Sequence, residues 1–143
     1  MYILDTDHLS ILERNGKDAE FLKLRLKNIN PQEISVTIIT YQEQLQGWLS
    51  LINKSNNIDE QINIYKRIKK QLINYCQIPI IDFDEKAGKE FQILRKKYPK
   101  IGTMDLKIAS IVIVNRAILL TRNSRDFEKI QDLLIEDWTQ KIN

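Results

Sequence analysis

The chain has 143 residues, of which 43% are hydrophobic and 29% charged, and its formal net charge at pH 7 is +3. These values are typical of one soluble globular domain, here spanning residues 1–143. The single cysteine, Cys76, excludes an internal disulfide, and no apolar segment reaches the ~20 residues of a membrane-spanning helix. The N-terminus also lacks the basic start and long apolar run of a signal peptide. We therefore expect a cytoplasmic protein that does not associate with membranes.

Hydrophobic periodicity predicts strands and helices that alternate along the chain. Short, almost wholly apolar runs mark the strands, and apolar residues spaced three or four apart mark the helices. The predicted strands are 2–5, 33–37, 78–82, 117–121 and 133–136. The predicted helices are 7–14, 18–28, 38–53, 58–76, 85–98, 103–115 and 126–130. Because helices separate the apolar strands, we expect parallel strands joined by crossovers, which form a three-layer α/β/α sandwich.

The third and fourth predicted helices each carry an apolar stripe at helical spacing. The first stripe consists of Tyr41, Leu45, Trp48, Leu49 and Ile52. The second consists of Ile58, Ile62, Tyr65, Ile68 and Leu72. A short polar segment, 53–57, separates the two helices and reads as a turn. The pattern predicts a helical hairpin whose two stripes are buried against each other.

Four acidic residues lie next to predicted strand ends and helix starts. Asp5 ends the first strand, Glu43 lies early in the third helix, Asp105 opens the sixth helix, and Asp126 follows the fourth strand. Ligands of parallel sheets bind beyond the carboxyl ends of the strands, so we expect these side chains to face one cleft. Carboxylates that share a cleft repel one another, and a bound cation relieves that repulsion.

The type of donor predicts the metal. A cluster of carboxylates without histidine or cysteine suits Mg²⁺ or Mn²⁺, which prefer oxygen ligands, and argues against zinc. A bound divalent cation lowers the pKa of a water molecule and stabilises charge on a phosphoryl oxygen. The sequence therefore indicates a Mg²⁺- or Mn²⁺-dependent nuclease whose catalytic metal ligands are Asp5, Glu43, Asp105 and Asp126.

Each acid, taken alone, has a structural role as its alternative. Asp5 or Asp7 would cap the first helix, and Asp126 would cap the short helix that follows it. Glu43 would be an ordinary exposed helix residue, and Asp105 would interact favourably with the positive end of its helix. Only the conjunction of the four acids favours a metal site.

Basic residues are concentrated in two segments. These are Lys66, Arg67, Lys69 and Lys70 in one helix, and Arg95, Lys96, Lys97 and Lys100 in another. A solvated helix face is the ordinary interpretation of either cluster, but together they suit a polyanionic substrate. Arg122 and Arg125 are candidates for holding a substrate phosphate, with solvent-exposed loop charges as the alternative. His8 is the only histidine, which excludes a mechanism with paired histidines, and we interpret it as structural.

In chain order, the acidic segments resemble the four signature blocks of PIN domains. The blocks are Ile3-Leu4-Asp5-Thr6-Asp7, Thr40-x-x-Glu43-x-x-x-Gly47, Asp105-x-x-Ile108-Ala109 and Thr121-x-Asn123-x-x-Asp126-Phe127. Together they extend from the first strand to the loop after the fourth strand, which is nearly the whole chain. More narrowly, the chain is similar to VapC-type toxins of bacterial toxin–antitoxin pairs.

The resemblance implies a PIN-domain-like five-stranded parallel sheet and an endoribonuclease that requires Mg²⁺ or Mn²⁺. Carried over position by position, it assigns the four acids to the metal-binding quartet and makes Thr121 and Asn123 polar supports at its rim. It also implies an RNA substrate, a homodimer, and a small antitoxin protein that covers the active site. The family often has asparagine at the position of Asp7, which we interpret here as a helix cap.

Other functions compete with this one. A PIN-like binding module would keep the fold without catalysis, and a DNA-directed nuclease would use the same metal chemistry, because only recognition of a 2′-hydroxyl distinguishes RNA. A haloacid-dehalogenase-like phosphatase would use Asp5 and Asp7 as paired aspartates. That family requires threonine or valine where this chain has Leu9, so the phosphatase is disfavoured.

Overall fold

The computed structural model describes residues 1–141 of the chain. These residues are built around a central sheet. Within this range, five strands form one parallel sheet in the order β3-β2-β1-β4-β5. The strands are β1 (Tyr2–Leu4), β2 (Ile34–Thr37), β3 (Ile80–Ile81), β4 (Ile118–Leu120) and β5 (Leu134–Glu136). The predicted five-stranded parallel sheet is confirmed.

Helices connect every pair of consecutive strands, as the alternating pattern predicts. They are α1 (Thr6–Arg14), α2 (Lys17–Leu26), α3 (Ile38–Lys54), α4 (Ile58–Tyr75), α5 (Glu85–Lys97), α6 (Thr103–Val114) and α7 (Ser124–Phe127). A 3-10 turn, Pro31–Glu33, precedes β2 and has no counterpart in the prediction. The observed α7 begins two residues before the predicted short helix, so Asp126 lies inside it and is not its cap.

Both faces of the sheet are covered, because neighbouring residues of a strand point in opposite directions. Ile3 of β1 belongs to a core that includes Ile108 and Val112 of α6. Leu4, the next residue, belongs to a second core with Ile11 of α1 and Leu22 of α2. The predicted three-layer sandwich is therefore confirmed. None of the helices among the described residues combines the length and apolar character needed to span a bilayer.

Helices α3 and α4 pack together, but the stripe predicted to be buried on α4 is wrong, and Leu49 of the predicted α3 stripe is 45% exposed. Four members of the α4 stripe are 47–67% exposed, namely Ile58, Ile62, Tyr65 and Leu72. The buried face of α4 instead contains Ile64, Gln71 and Tyr75. Two stripes at helical spacing lie side by side on this helix, and the polar Gln71 makes the truly buried one look weaker in the sequence.

The carboxyl ends of β1 and β4 create a crevice in the sheet. From β1 the chain adds β2 and β3 on one side and then returns to add β4 and β5 on the other. The segments that follow β1 and β4 therefore diverge, and this is the position at which open parallel sheets bind ligands. The backbone N–H of Asp5 still donates to the carbonyl of Leu120 at 2.9 Å, so the two strand ends are tied together directly below the crevice.

The orientation of α4 is testable with two isoleucines of the same helix. Ile64→Ala should lower the free energy of unfolding by about 2–5 kcal/mol, because it leaves a cavity where a side chain only 5% exposed now packs. Ile62→Ala, at a position that is 47% exposed, should cost less than about 1 kcal/mol. Urea unfolding of both variants measures the difference, and equal losses would contradict the observed orientation.

Candidate active site

A cleft of about 400 Å³ opens at the crevice between β1 and β4. Three of the four predicted acids line it, contributed by the segment after β1, by α3 and by α6. The charged lining residues are Asp5, Asp7, Glu43, Asp105, Arg14 and Arg122. The cleft therefore brings together four carboxylates and two guanidinium groups from segments that are far apart in the sequence.

Asp5 is the most deeply buried of these acids, with 6% of its surface exposed. Its Oδ1 accepts a hydrogen bond from the backbone N–H of Thr6 at 2.9 Å, and its Oδ2 accepts one from the hydroxyl of Thr121 at 2.7 Å. Burial raises the pKa of Asp5 to about 7, and the charge of Asp7 adds to that effect against the two hydrogen bonds. The residue is thus both the N-cap of α1 and a carboxyl group of the cleft.

Glu43 is held in the cleft by a side chain of α1. The hydroxyl of Thr6 donates to Glu43 Oε1 at 2.9 Å, and the hydroxyl of Thr40 lies 3.2 Å from Thr6 Oγ1. Glu43 is half-buried, one turn after the start of α3, whose N-cap is Thr37 at the end of β2. The alternative interpretation, in which Glu43 is an ordinary exposed helix residue, is therefore wrong.

Asp105 occupies the first turn of α6 and is half-buried at the edge of the cleft. Burial raises its pKa to about 6, and the charges of Glu43, Asp126 and Asp7 raise it further. The side-chain amide of Asn123 lies 3.5 Å from Asp105 Oδ2, a long hydrogen bond that joins α6 to the loop after β4. The ionisation of Asp105 is thus coupled to the charges of the neighbouring acids.

Asp126 is placed differently from the other three predicted acids. It is half-buried inside α7 and is not one of the lining residues that the structure of residues 1–141 gives for the cleft. Its charge nevertheless contributes to the raised pKa of Asp105, so the two carboxylates are near enough to repel each other. Its assignment as a metal ligand remains a prediction.

The N-cap of α1 is Asp5, so the interpretation of Asp7 as a helix cap is wrong. Oδ2 of Asp7 accepts a hydrogen bond from the backbone N–H of Arg122 at 2.9 Å, and its Oδ1 lies 2.9 Å from Nδ1 of His8. Burial opposes ionisation of Asp7, but the hydrogen bonds from His8 and Arg122 outweigh it and lower its pKa. Asp7 therefore fixes the loop after β4, a contact across 115 positions that local spacing does not reveal.

Of the two predicted rim supports, Asn123 lines the cleft, whereas Thr121 is buried and contacts it through Asp5. The hydroxyl of Thr121, which is 2% exposed, reaches Asp5, and the backbone N–H of Asn123 donates to Thr121 Oγ1 at 3.0 Å. Arg122 lines the cleft, with its guanidinium 3.3 Å from a carboxylate oxygen of Asp18. Arg125 is exposed on α7 and is absent from the lining that residues 1–141 provide. Of the two predicted arginines, Arg122 is thus the one that lines the cleft.

The sequence interpretation missed a polar face of α1. Thr6, Ser10 and Arg14 all line the cleft, and they follow one another at a spacing of four residues. Residues four apart share one face of a helix, so this spacing beside Asp5 was a readable signal. The first helix supplies much of one cleft wall in addition to a buried apolar face.

The oxygen-rich lining suits a hard divalent cation, although the carboxylates are not assembled as a closed cage. Within residues 1–141, no three histidine, cysteine, aspartate or glutamate side chains approach closely enough to ligate one ion together. Mg²⁺ binds through one or two carboxylates and keeps several waters, so a looser arrangement meets its needs. The raised pKa values of Asp5 and Asp105 are those of carboxyl groups that lack a compensating charge.

These pKa shifts predict an unusual pH dependence of stability without metal. The folded state binds the protons of Asp5 and Asp105 more tightly than the unfolded state, so protonation stabilises the fold. Asp5→Asn should therefore be more stable than the unsubstituted protein at pH ~7.5, and the difference should shrink towards pH ~5.5.

Urea unfolding in EDTA at the two pH values provides this measurement. Asp132→Asn is the matched control, because Asp132 is exposed and its positive φ of 69° is one that asparagine tolerates. A stability difference between Asp5→Asn and the unsubstituted protein that does not change with pH would contradict the prediction.

Comparison with known proteins places this site in a family. The family model described as PIN domain matches residues 2–133. The chain is 26% identical over 147 residues to ribonuclease VapC1 of Haemophilus influenzae strain R2866, covering 98% of this chain and 99% of that protein. It is 24% identical over 141 residues to the tRNA(fMet)-specific endonuclease VapC of Salmonella typhimurium strain LT2, covering 96% and 97%.

A solved structure gives the same result. The crystal structure of VapBC2 from Rickettsia felis, bound to a DNA fragment from their promoter, superposes with a TM-score of 0.66 at 26% identity. The match covers 96% of this chain and 98% of that chain. The resemblance to VapC-type proteins noted in the sequence is confirmed by these matches. With the family model matching almost from end to end, the chain belongs to the PIN domain family.

Proposed function

We propose that this protein is a Mg²⁺- or Mn²⁺-dependent endoribonuclease that hydrolyses RNA phosphodiester bonds as the toxin of a toxin–antitoxin pair. The observation that carries the proposal is the shared cleft, in which Asp5, Glu43 and Asp105 meet at the carboxyl ends of parallel strands. A cleft of this kind in a PIN domain supports metal-assisted hydrolysis better than binding alone, because uncompensated acids repel a polyanion.

The charges of the cleft suit a phosphodiester only when a cation is present. Asp5 and Asp105 would hold the principal metal, while Glu43 and Asp126 would orient its waters or recruit a second ion. When bound, such a metal stabilises charge on a phosphoryl oxygen and lowers the pKa of a water molecule. Arg122 lines the cleft and would hold a phosphate through its guanidinium; Arg125 is the predicted second contact and lies outside the cleft.

The surrounding hydroxyl groups orient these carboxylates. Thr121 donates to one oxygen of Asp5, which leaves the remaining lone pairs of the carboxylate for a cation. Thr6 donates to Glu43 Oε1 and fixes that carboxylate in the same way. Such outer contacts hold the ligands of metal sites in their working geometry.

The comparisons support the ribonuclease reaction and direct the choice of substrate. The relatives from Haemophilus influenzae and Salmonella typhimurium are named ribonuclease and tRNA(fMet)-specific endonuclease. We therefore take structured RNA as the substrate class and tRNA as the first RNA to test. We place this activity in the cytoplasm, the location expected from the sequence.

A cognate antitoxin protein and a homodimer complete the proposal. Support for the antitoxin comes from the similarity to VapBC2, and support for protein partners in general comes from apolar side chains at the surface. The exposed residues on α3 and α4 include Leu49, Leu51, Ile58, Ile62, Tyr65 and Leu72. Exposed apolar patches on soluble proteins commonly mark interaction surfaces.

The decisive experiment is cleavage of labelled tRNA and other structured RNAs by purified, antitoxin-free protein. Cleavage should require Mg²⁺ or Mn²⁺, stop in EDTA, and fall by more than about 100-fold in Asp105→Asn, since even an outer-shell partner of a metal ligand is worth 10- to 100-fold. Gel analysis of the products measures the rate, and DNA of the same sequence tests the choice of sugar.

The matched control is Asp132→Asn, purified identically, which changes an exposed aspartate and should cleave normally. Equal cleavage by Asp105→Asn and the unsubstituted protein would remove Asp105 from the site and point to a contaminating nuclease. An absence of cleavage over a broad RNA panel would favour the alternative, a PIN-like module that binds nucleic acid or protein without catalysis.

Metal binding has a readout that needs no RNA. Mg²⁺ at about 100 times its Kd should raise the free energy of unfolding by about 2.7 kcal/mol at neutral pH. The gain should be smaller at pH ~5.5, because protons on Asp5 and Asp105 compete with the cation. Urea unfolding with and without Mg²⁺ measures this, and a full gain retained in Asp5→Asn would exclude Asp5 as a ligand.

A further inference from the structure

The only histidine of the chain has a position that the proposed reaction does not explain. His8 is completely buried in the first turn of α1, three residues after Asp5. Both of its ring nitrogens lie within hydrogen-bond distance of a protein group, one from α1 itself and one from the C-terminal segment. This buried imidazole therefore links α1 to the C-terminal segment that contains Trp138.

The hydrogen bonds define the tautomer of His8. The backbone N–H of Trp138 lies 3.1 Å from Nε2, and a backbone amide only donates, so Nε2 accepts. The ring proton is therefore on Nδ1, which donates to Asp7 Oδ1 at 2.9 Å. Asp137 Oδ1 also lies 3.6 Å from Nε2, but this is too long for a hydrogen bond, and that oxygen already accepts from the backbone N–H and hydroxyl of Thr139.

Asp7 passes this constraint on to the loop after β4. While Oδ1 accepts from His8, Oδ2 accepts from the backbone N–H of Arg122 at 2.9 Å and lies 3.3 Å from Thr121 Oγ1. The next residue, Asn123, extends its amide towards Asp105 Oδ2. Ionised Asp7, whose pKa is lowered, is an acceptor at both oxygens.

The far end of this chain of contacts is firmly anchored. Trp138 is 3% exposed, its ring packs 4.7 Å from that of Tyr2, and the guanidinium of Arg25 lies 4.7 Å from its ring centre. The indole N–H also donates to Glu136 Oε2 at 2.9 Å. The segment 136–139 is thus held by its own contacts and offers His8 a fixed point of attachment.

We propose that His8 and Asp7 form a positioning pair that holds the loop 121–123, and with it Asn123, against Asp105. The backbone amide of Trp138, in the anchored segment 136–139, fixes the tautomer in which Nδ1 of His8 donates to Asp7, and Asp7 in turn binds the loop. His8 does not touch the cleft, so its effect on the reaction acts through Asp7 and the backbone of Arg122. The consequence for catalysis rests on the proposed nuclease function, whereas the consequence for the loop does not.

Two amide substitutions separate the two hydrogen bonds of His8. The side-chain nitrogen of His8→Asn coincides with Nδ1 and keeps the bond to Asp7, but it leaves the amide of Trp138 without a partner. The terminal amide oxygen of His8→Gln reaches the position of Nε2 and accepts the bond from Trp138, but this variant loses the bond to Asp7. Each variant gives up one bond of the same buried side chain, so each is the control for the other.

The first readout is hydrogen exchange at the amide of Arg122, measured without RNA or metal. Exchange should stay slow in His8→Asn and become faster in His8→Gln, because only the second variant frees the carboxylate of Asp7. Urea unfolding of both variants corrects for any difference in overall stability. Equal protection of Arg122 in the two variants after that correction would overturn the proposal.

The second readout is steady-state cleavage of RNA. The kcat of His8→Gln should fall roughly 10- to 100-fold below that of His8→Asn with little change in KM, as for outer-shell partners of metal ligands. A purely structural role would lower the activity of both variants in proportion to their unfolded fraction. Equal kcat values of His8→Gln and His8→Asn, after correction for the unfolded fraction, would overturn the proposed effect of the pair on catalysis.

The two proposals fail in different ways. If the unsubstituted protein cleaves no RNA but Arg122 still responds selectively to His8→Gln, the nuclease function fails and the positioning pair stands. If the protein cleaves RNA and the two variants behave alike in both readouts, the pair fails and the nuclease stands.

Discussion

The structure of this protein depends on how like charges are tolerated at one end of its sheet. Asp5, Asp7, Glu43 and Asp105 share a single cleft, in which their negative charges raise one another's cost of ionisation. A domain of this size is stable by only about 5–15 kcal/mol, so the burial of charged groups in one cleft matters to its stability. Burial, reinforced by the charges of neighbouring acids, raises the pKa values of Asp5 and Asp105, and a bound cation or protons would offset both effects.

The fold offsets part of this repulsion through backbone dipoles and hydrogen bonds. Asp5 and Asp7 lie at the N-terminus of α1, and Asp105 lies in the first turn of α6, where the helix dipole favours negative charge. Thr6 and Thr121 donate to the carboxylates from opposite sides of the crevice. These interactions keep the acids in place without neutralising them, which leaves the cleft ready for a positive ligand.

Hydrogen bonds also tie the site to segments that lie outside the cleft. The loop after β4 is bound to Asp7, Asp7 to His8, and His8 to the backbone of Trp138, so α1, β4 and the C-terminal segment constrain one another. A parallel sheet makes this possible, because all of its strands end at the same edge. Residues that are distant in the sequence therefore meet at the crevice between β1 and β4.

The sequence by itself determined the strands, the helices and three acids of the cleft, because periodicity and the position of Asp5 and Asp105 next to strand and helix ends are local properties. It did not determine which of two neighbouring stripes α4 buries, since both have helical spacing and the buried one contains Gln71. Nor did it reveal the role of Asp7 or His8, whose partners Arg122 and Trp138 lie 115 and 130 positions away. Those contacts exist only because the parallel sheet brings the strand ends and the C-terminal segment together, which is a property of the tertiary structure.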